Sequence, residues 1–547
     1  MSRFVIENAG YGRASAASLT RFAQCAMRPL RTRIGTVAIT LLATGVLPVA
    51  LARGGSAAVG VPPPQWAVNA AGWPSHNLDL ANTRADFRTR IDSRDVATLK
   101  QRWTFTLPYS GYYGSFTSNP IVAAGVVYLE DPDSDVFALR LASGKLLWRH
   151  DYRSVTPSGG PNGVAYGYGL LYGETADSVF ALDPHTGKQA WIRKLAAAPD
   201  GIDMAPQLWD GKLLISTIPG TSSSFYTGGA YGVVYALDAR TGKKLWSFST
   251  VQDPARMWGN RKLNGGGGLW YPPAVDSHDR VFIGTGNPGP YPLSEADPNA
   301  RSRPGRNLYT DSLVALDGKT GKLLWYRQVT PHDLRDYDFQ DPPILVTVKV
   351  HGRPTEAVIG AGKSGYVIAF RASDGQRLWT LPIGKHNRFQ SGPLPARPVV
   401  YCPGGLGGVL TPMAEAHEVV YVPWTDLCFK GSATGLVHGG PVLPVDGGLA
   451  AVDAATGHVR WRHTFKTIDD GAATVANDVV FTSTYNGTID ALSTKTGKTL
   501  WHVKAPAGIN SFPALTRTML IVGAGALTST GKKSKGALVA YSLPDKP

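Results

Sequence analysis

The stretch ALDGKTGKLLW, Ala315 to Trp325, carries the rule by which this chain is built. An apolar, β-rich segment runs into Ala-x-Asp, a Thr-Gly pair turns the chain, and a Trp stands just beyond the turn. The pattern predicts a strand, a tight turn and a returning strand, with the glycine supplying the positive φ that the turn needs. The same pattern, or a close variant, recurs in ALRLASGKLLW (Ala138 to Trp148), ALDPHTGKQAW (Ala181 to Trp191), ALDARTGKKLW (Ala236 to Trp246), AFRASDGQRLW (Ala369 to Trp379), AVDAATGHVRW (Ala451 to Trp461) and ALSTKTGKTLW (Ala491 to Trp501).

A single small sheet of this kind cannot bury both of its faces. Stacking such units radially into a ring buries them without long open edges, and a Trp from each unit fills the wedge to its neighbour. An eighth, partial unit, ALVAYSLP (Ala537 to Pro544), lacks its Gly and Trp, while LKQRWTFTL (Leu99 to Leu107) offers a Trp strand without a preceding Ala-x-Asp. The two halves predict one composite unit. The expected fold is therefore all-β: an eight-bladed β-propeller with docking tryptophans at 103, 148, 191, 246, 325, 379, 461 and 501, its ring closed by N- and C-terminal strands. That leaves Trp66, Trp73, Trp209, Trp258, Trp270 and Trp424 for other work. Insertions fall before Trp325 and between Trp379 and Trp461, and excursions from a regular scaffold are where sites are built.

Composition agrees with turn-rich β structure. Among 547 residues there are 63 Gly and 40 Pro, with 17% charged and 43% hydrophobic residues, enough to bury a large core and to exclude a disordered chain. Seven arginines against Glu7 place +6 of the +15 net charge within the first 54 residues. The remainder is spread without a basic run longer than Lys532-Lys533, so no nucleic-acid partner is expected.

Arg28 to Arg33 precede the apolar run IGTVAITLLATGVLPVALA, Ile34 to Ala52, which ends in Ala-Leu-Ala. This predicts export: residues 1–52 are a cleaved signal or, by the length of the run, an uncleaved membrane anchor through 34–52, with a buried helix as the remaining alternative. Residues 53–94 read as an N-terminal linker and extended segment, and 95–547 as the propeller. The expected location is periplasmic, cell-surface or secreted. Beyond Cys25 the chain has only Cys402 and Cys428. In an exported protein they predict a disulfide closing a loop of about 26 residues, with two buried thiols as the alternative. No Cys-x-x-Cys-His is present, so no haem is covalently attached.

Just after Trp325, TPHDLRDYDFQDPPIL (Thr330 to Leu345) gathers Asp333, Asp336, Asp338 and Asp341 around His332. In an extended segment Asp336 and Asp338 point the same way, and like charges so close need a cation or a proton between them. Two carboxylates with an amide oxygen such as that of Asn287 suit Ca²⁺, one ionised carboxylate could act as general base, and a cluster of Asx turns would explain the same residues without chemistry.

The repeat, together with GTGNPGP (Gly284 to Pro290), HDLRDYD (His332 to Asp338), GKSG (Gly362 to Gly365) and NLDLANTR (Asn77 to Arg84), resembles the pyrroloquinoline quinone (PQQ) dependent alcohol dehydrogenases of the methanol dehydrogenase type. The resemblance implies PQQ and Ca²⁺ or a lanthanide as cofactors. It makes Asn287, Asp336 and Asp338 metal ligands, Asp336 the base that takes the alcohol proton, and Asp338 the additional aspartate of lanthanide-using members. Trp270 would stack beneath the quinone, Lys363 would touch its oxygens, and Cys402 and Cys428 match a structural disulfide beside the cofactor. The substrate would be a small or polymeric alcohol, or an aldehyde, and electrons would leave to an external acceptor such as a cytochrome c.

The departures lie in the pocket wall. Where the family has two adjacent cysteines, this chain reads Asn162-Gly163. Where it has a glutamate near the quinone, this chain reads Thr117. The glutamate that completes the metal site should fall in STIPGTSSSFYTGG (Ser216 to Gly229), which contains no carboxylate. The rival expectation is a noncatalytic propeller used for binding or assembly, resembling the outer-membrane assembly lipoproteins, which need no acidic cluster.

Overall fold

A computed structural model describes residues 57–68, 72–107, 114–156, 158–220, 226, 229–252, 257–437, 442–526 and 536–545. The expected export segment lies outside these residues. Among them no helix is long and apolar enough to cross a membrane.

The regular structure of the described residues is almost all β-strand, with very little helix. Besides a two-stranded pairing of Gly265–Gly266 with Pro288–Gly289, the described residues form eight sheets that each contain four antiparallel strands, in chain order in the first seven. The first spans Ile121–His150, the second Ala165–Lys194, the third Gln207–Ser249, the fourth Ala274–Gln328 and the fifth Ile344–Pro382. The sixth spans Ala414–Phe465 and the seventh Thr474–Lys504. In the eighth, Ala514–Leu515, Met519–Ala524 and Ala537–Ser542 are joined by Lys100–Thr106, whose Trp103 pairs with Ala540. The two partial repeats thus make one sheet, and they do so by pairing opposite ends of the described chain.

The tryptophans link successive sheets by a bond as well as by area. Trp103 Nε1 donates to Leu141 O at 2.7 Å, Trp246 to Gly318 O at 2.8 Å, Trp325 to Ala372 O at 3.1 Å and Trp461 to Thr494 O at 2.8 Å, each time reaching into the next unit. Each ring also lies on the turn glycine of that next unit. At Gly321, where φ is +72°, an added Cβ would stand 2.6 Å from the six-membered ring of Trp246. The glycine is therefore required twice, by the turn and by the indole above it. The turn Asp closes the hairpin: Asp317 Oδ1 accepts from Lys319 N, Thr320 N and Thr320 Oγ1.

Apolar clusters fill the spaces between neighbouring sheets. One joins Phe282, Ala315 and Trp325 of the fourth sheet to Leu345, Val358 and Phe370 of the fifth. The segment expected to be a linker is also bonded to many sheets. Trp73 pairs with Val122, and Tyr166, Val275, Leu345, Glu415 and Val475 donate their amides to Pro74, Leu80, Ala81, Thr83 and Arg84 respectively. The fully buried Arg84 guanidinium donates to His76 O, Ala473 O, Thr474 Oγ1 and Pro513 O, so this short stretch ties together elements from both ends of the chain.

Candidate functional site

The acidic run after Trp325 is not a strand. Asp336 has φ +66°, so its carboxylate and that of Asp338 converge through a left-handed kink and not through strand alternation. Asp333 caps this kink: its Oδ1 accepts from Arg335 N at 2.9 Å and its Oδ2 from Tyr337 N at 2.7 Å. The Asx-turn reading therefore holds for Asp333 and fails for the other two. His332 faces Asn299 O at 3.1 Å and takes no part.

Asp336 and Asp338 meet at Lys363. The ammonium lies 2.9 Å from Asp336 Oδ1 and 2.5 Å from Asp338 Oδ2. Asp338 is fully buried, whereas the Asp336 side chain keeps 14% of its surface exposed, so Asp336 is the member of the pair that an incoming molecule can reach. Burial, opposed by the Lys363 ammonium and reinforced by the Asp338 carboxylate, holds the Asp336 carboxyl well above the usual range. Burial works against the Lys363 cation, but the two carboxylates outweigh it and raise its pKa.

Asn287 joins them through its backbone, whose N–H donates to Asp338 Oδ1 at 2.5 Å, while its buried side-chain Oδ1 has no donor. The run Gly265–Gly268 explains how Asn287 is placed. Gly267 N donates to Asn287 O at 2.9 Å, and an added Cβ at Gly268 would lie 2.3 Å from Thr217 O, so only glycines can thread this gap. Two residues further on stands Trp270.

Trp270 connects to the acids through a residue that sequence reasoning did not find. Trp270 Nε1 donates to the Tyr226 hydroxyl at 3.2 Å, and that hydroxyl donates to Asp338 Oδ1 at 3.3 Å. Tyr226 lies in the segment expected to carry the missing glutamate, and burial followed by the charge of Asp338 pushes its phenol well above the ordinary value. Asp311 was likewise not foreseen. It is fully buried, neither carboxylate oxygen accepts a hydrogen bond, and burial followed by Asp333 and Asp338 raises it strongly.

The three residues expected along the opposite wall are also brought together. Thr117 Oγ1 donates to Gly160 O at 2.9 Å and approaches Asn162 Oδ1 at 3.5 Å, and Gly163 lies against Ser118. Gly160 rests on Trp270, where an added Cβ would stand 2.9 Å from the six-membered ring and 3.0 Å from the carboxyl carbon of Asp203. Cys402 and Cys428 form the expected disulfide, with Cα atoms 4.6 Å apart. The turn beyond Cys402 borders the acids: a Cβ on Gly405 would lie 3.1 Å from Asp336 Oδ2, and one on Gly408 2.3 Å from Lys363 O.

This corner thus brings together two carboxylates, an ammonium, an amide oxygen without a donor and an indole. Its oxygens are of the kind a hard cation takes, and the Asp336 carboxylate is of the kind that accepts a proton.

Comparison with known proteins gives the following. Residues 200–386 match the family model of the glucose/ethanol/alcohol dehydrogenase β-propeller domain, and residues 88–228 and 445–545 match that of the outer membrane protein assembly factor BamB. The chain is 27% identical to quinohemoprotein alcohol dehydrogenase ADH IIB of Pseudomonas putida over 87% of this chain and 78% of that protein. It is 26% identical to a lanthanide-dependent methanol dehydrogenase of Methylacidiphilum fumariolicum, over 81% and 82%, and 27% identical to a polyvinylalcohol dehydrogenase of a Pseudomonas species, over 80% and 68%. Among solved structures, the quinohemoprotein alcohol dehydrogenase of Comamonas testosteroni superposes with TM-score 0.75 at 23% identity, covering 88% of this chain and 82% of that one. A europium-containing methanol dehydrogenase superposes with TM-score 0.73 at 22% identity, covering 87% and 98%. In sequence the chain is similar to quinoprotein and quinohemoprotein alcohol dehydrogenases, and its fold is that of their solved structures.

Proposed function

We propose that this protein is an exported alcohol dehydrogenase using PQQ and one hard metal ion, and that its eight sheets are the blades of a propeller ring closed by the pairing of Lys100–Thr106 with Ala537–Ser542. The observation that carries the reading is the Lys363 ammonium clasped by Asp336 and Asp338 beside Trp270. A structural ion pair needs one carboxylate, whereas this lysine has two, one of them still open to the pocket.

The residues fit the absent groups in part. The unpartnered Asn287 Oδ1 and the Asp336 and Asp338 carboxylates are oxygen donors of the kind Ca²⁺ or a lanthanide takes, and Tyr226 stands where a third carboxylate is missing. Gly160 lies against the six-membered ring of Trp270 without a side chain, where an added Cβ would stand 2.9 Å from the ring. When bound, the quinone supplies the electrophilic carbonyl that accepts a hydride. Asp336 would take the hydroxyl proton of the alcohol at its exposed carboxylate edge, and its raised proton affinity suits a base that must both accept and release. Lys363 would direct its ammonium at the cofactor oxygens and compensate negative charge there. Trp270, fixed by its bond to Tyr226, would hold the ring plane, and the disulfide-anchored turn at Gly405 would keep water from Asp336. Electrons would leave to an external acceptor such as a cytochrome c, and the alcohol is small or polymeric.

The scaffold reading has one observation in its favour, the BamB match. That match covers plain repeats and stops short of Trp270, Asn287, Asp336, Asp338 and Lys363, all of which fall within the dehydrogenase match, so the enzyme reading accounts for more. The test is titration of purified protein with PQQ, with and without Ca²⁺ or La³⁺, following Trp fluorescence, then dye-linked oxidation of alcohols. Metal-dependent quenching and turnover lost in Asp336→Asn are expected. No binding under any metal would leave the scaffold reading standing.

A further inference from the structure

The repeat allows every sheet to be read at one register. The residue paired with the repeat alanine is Tyr128, Tyr172, Leu214, Phe282, Ile359, Tyr421, Phe481 or Ile521 in successive sheets. Two positions later on the same strand or just past its end, six sheets carry Ser216, Gly284, Ala361, Pro423, Ser483 and Gly523. The first two sheets carry Glu130 and Glu174. The fold thus asks for a small or neutral residue here, and two adjacent units depart from it with acids.

Both glutamates are buried, with 0% and 1% of their surface exposed. Each ends its strand, and Glu130 reaches the second sheet: a Cβ on Gly173, the residue before Glu174, would stand 2.8 Å from Glu130 Oε2. Neither Glu130 oxygen nor Glu174 Oε2 has a hydrogen-bond donor among the described residues. Two buried carboxylates of adjoining sheets without a donor need a proton or a cation between them.

Among the described residues neither glutamate has an ion-pair partner. The first sheet and its following loop present Asp131, with Asp133 and Asp135 beside it, and the phenol of Tyr152; the segment before the third sheet presents Asp203. Arg149 of the first sheet is bonded to Asp135 at 2.5 Å. Asp131 Oδ1 is satisfied by Asp133 N and Asp135 N, and Asp203 by Gly159 N at 3.0 Å and the Ser158 hydroxyl. Burial lifts Asp203 to about 6 and Asp131 to about 7, and it raises both glutamates well above the usual range.

This group adjoins the pocket. Asp203 reaches the same glycine, Gly160, that rests on Trp270, and its charge acts on both glutamates. The amide of Asn162, in the wall facing that indole, donates to Asp131 O at 3.0 Å.

We propose that Glu130 and Glu174 share one proton and form, with Asp203, a proton-holding site that answers charge in the pocket, taking up a further proton from solvent when an anionic ligand settles against Trp270. The coupling rests on the reading that the ligand is PQQ, whose carboxylates bring negative charge. Uptake forms one O–H bond on the pair, and release of the ligand returns that proton to solvent. In a medium of low effective dielectric, a unit charge brought within about 10 Å shifts a proton equilibrium about tenfold. The sign follows: added negative charge raises the proton affinity of the acids, so ligand affinity falls as pH rises through the range in which they ionise.

Two measurements test this on the full-length protein. Infrared spectra without cofactor, wild type minus Glu130→Gln and wild type minus Glu174→Gln, should show a protonated-carboxyl band at pH 7 that either substitution removes. Absence of that band overturns the shared proton. So does a metal equivalent that co-purifies with wild type and with Asp338→Asn but not with the Glu130→Gln/Glu174→Gln double variant, because the pair would then hold a cation. Calorimetric titration with PQQ in two buffers of different ionisation enthalpy should show net proton uptake of up to about one per site, and a Kd that weakens up to about tenfold per pH unit. The double variant should bind PQQ with neither effect, and proton uptake unchanged in it overturns the coupling. Failure of wild type to bind PQQ overturns the coupling together with the reading it rests on, and leaves the infrared band to decide the shared proton by itself.

Discussion

The Tyr226 hydroxyl donates to Asp338 Oδ1 at 3.3 Å, from the stretch of chain where relatives of this kind were expected to place a glutamate. On the proposed reading, a neutral phenol would stand in place of a third charge. This leaves two carboxylates and an amide oxygen for any cation, and affinity for hard cations rises with the number of charged ligands. Tyr226→Glu is expected to tighten Ca²⁺ and La³⁺ binding at least about tenfold, La³⁺ more than Ca²⁺. Tyr226→Phe should not tighten either, and should loosen Trp270 by removing the acceptor of its Nε1. Metal titrations followed by Trp fluorescence decide between the outcomes.

On the proposed reading, Lys363 and a metal ion would compete for the same two carboxylates. Its ammonium already lies against Asp336 Oδ1 and Asp338 Oδ2, so removing it leaves two buried like charges that must find a proton or another cation. Lys363→Met is expected to be destabilised by about 3–5 kcal/mol in metal-free buffer. Ca²⁺ should restore most of that loss, while dye-linked turnover remains low because no ammonium faces the cofactor oxygens. A melting-temperature series against Ca²⁺, run beside wild type, checks this, and an equal response of the two proteins would remove the competition.

Much of this was legible in the chain because its signals repeat. The spacing of Ala, Asp, Gly and Trp exposed the sheets, since a hairpin turn and an interunit indole both depend on position. Asn287, Asp336, Asp338 and Lys363 were singled out because they sit in short motifs, and the structure brings them together, although through the left-handed kink at Asp336 and not an extended strand. Tyr226 was hidden, because a phenol among Ser, Thr and Gly has no spacing that marks it. Asp311 was hidden because its role depends on burial alone. Glu130 and Glu174 could have been found: VVYLE and LLYGE occupy one register in consecutive repeats, and the comparison needs only the repeat itself.

Gly321 separates two demands that usually occur together. Its φ of +72° disfavours a side chain, and an added Cβ would also meet Trp246 at 2.6 Å. Gly352 has φ +77° with nothing within 4 Å, so it carries the first demand alone. Gly352→Ala should cost about 1–2 kcal/mol, and Gly321→Ala a further 1–3 kcal/mol or so from crowding. Denaturant or thermal unfolding of both variants measures the difference, and equal losses would mean that the indole moves aside without cost.

Glu415 gives a pH dependence whose sign can be worked out. It is buried, with 5% of its surface exposed, and burial, opposed by the bond from Glu418 N and reinforced by Asp79, raises its carboxyl to about 8. The folded chain therefore holds a proton that the unfolded chain releases near 4.5. Its contribution to stability is fully present below that value and is lost as pH rises toward about 8, by an amount on the order of a few kcal/mol. Glu415→Gln keeps the shape and cannot ionise, so the gap between variant and wild type should grow in favour of the variant between pH 5 and pH 8. Other buried acids, Asp336 and Asp311 among them, slope the same way in both proteins and cancel in the difference. A gap that stays constant with pH would show that Glu415 is ionised within the fold and draws its stability from the Glu418 amide instead.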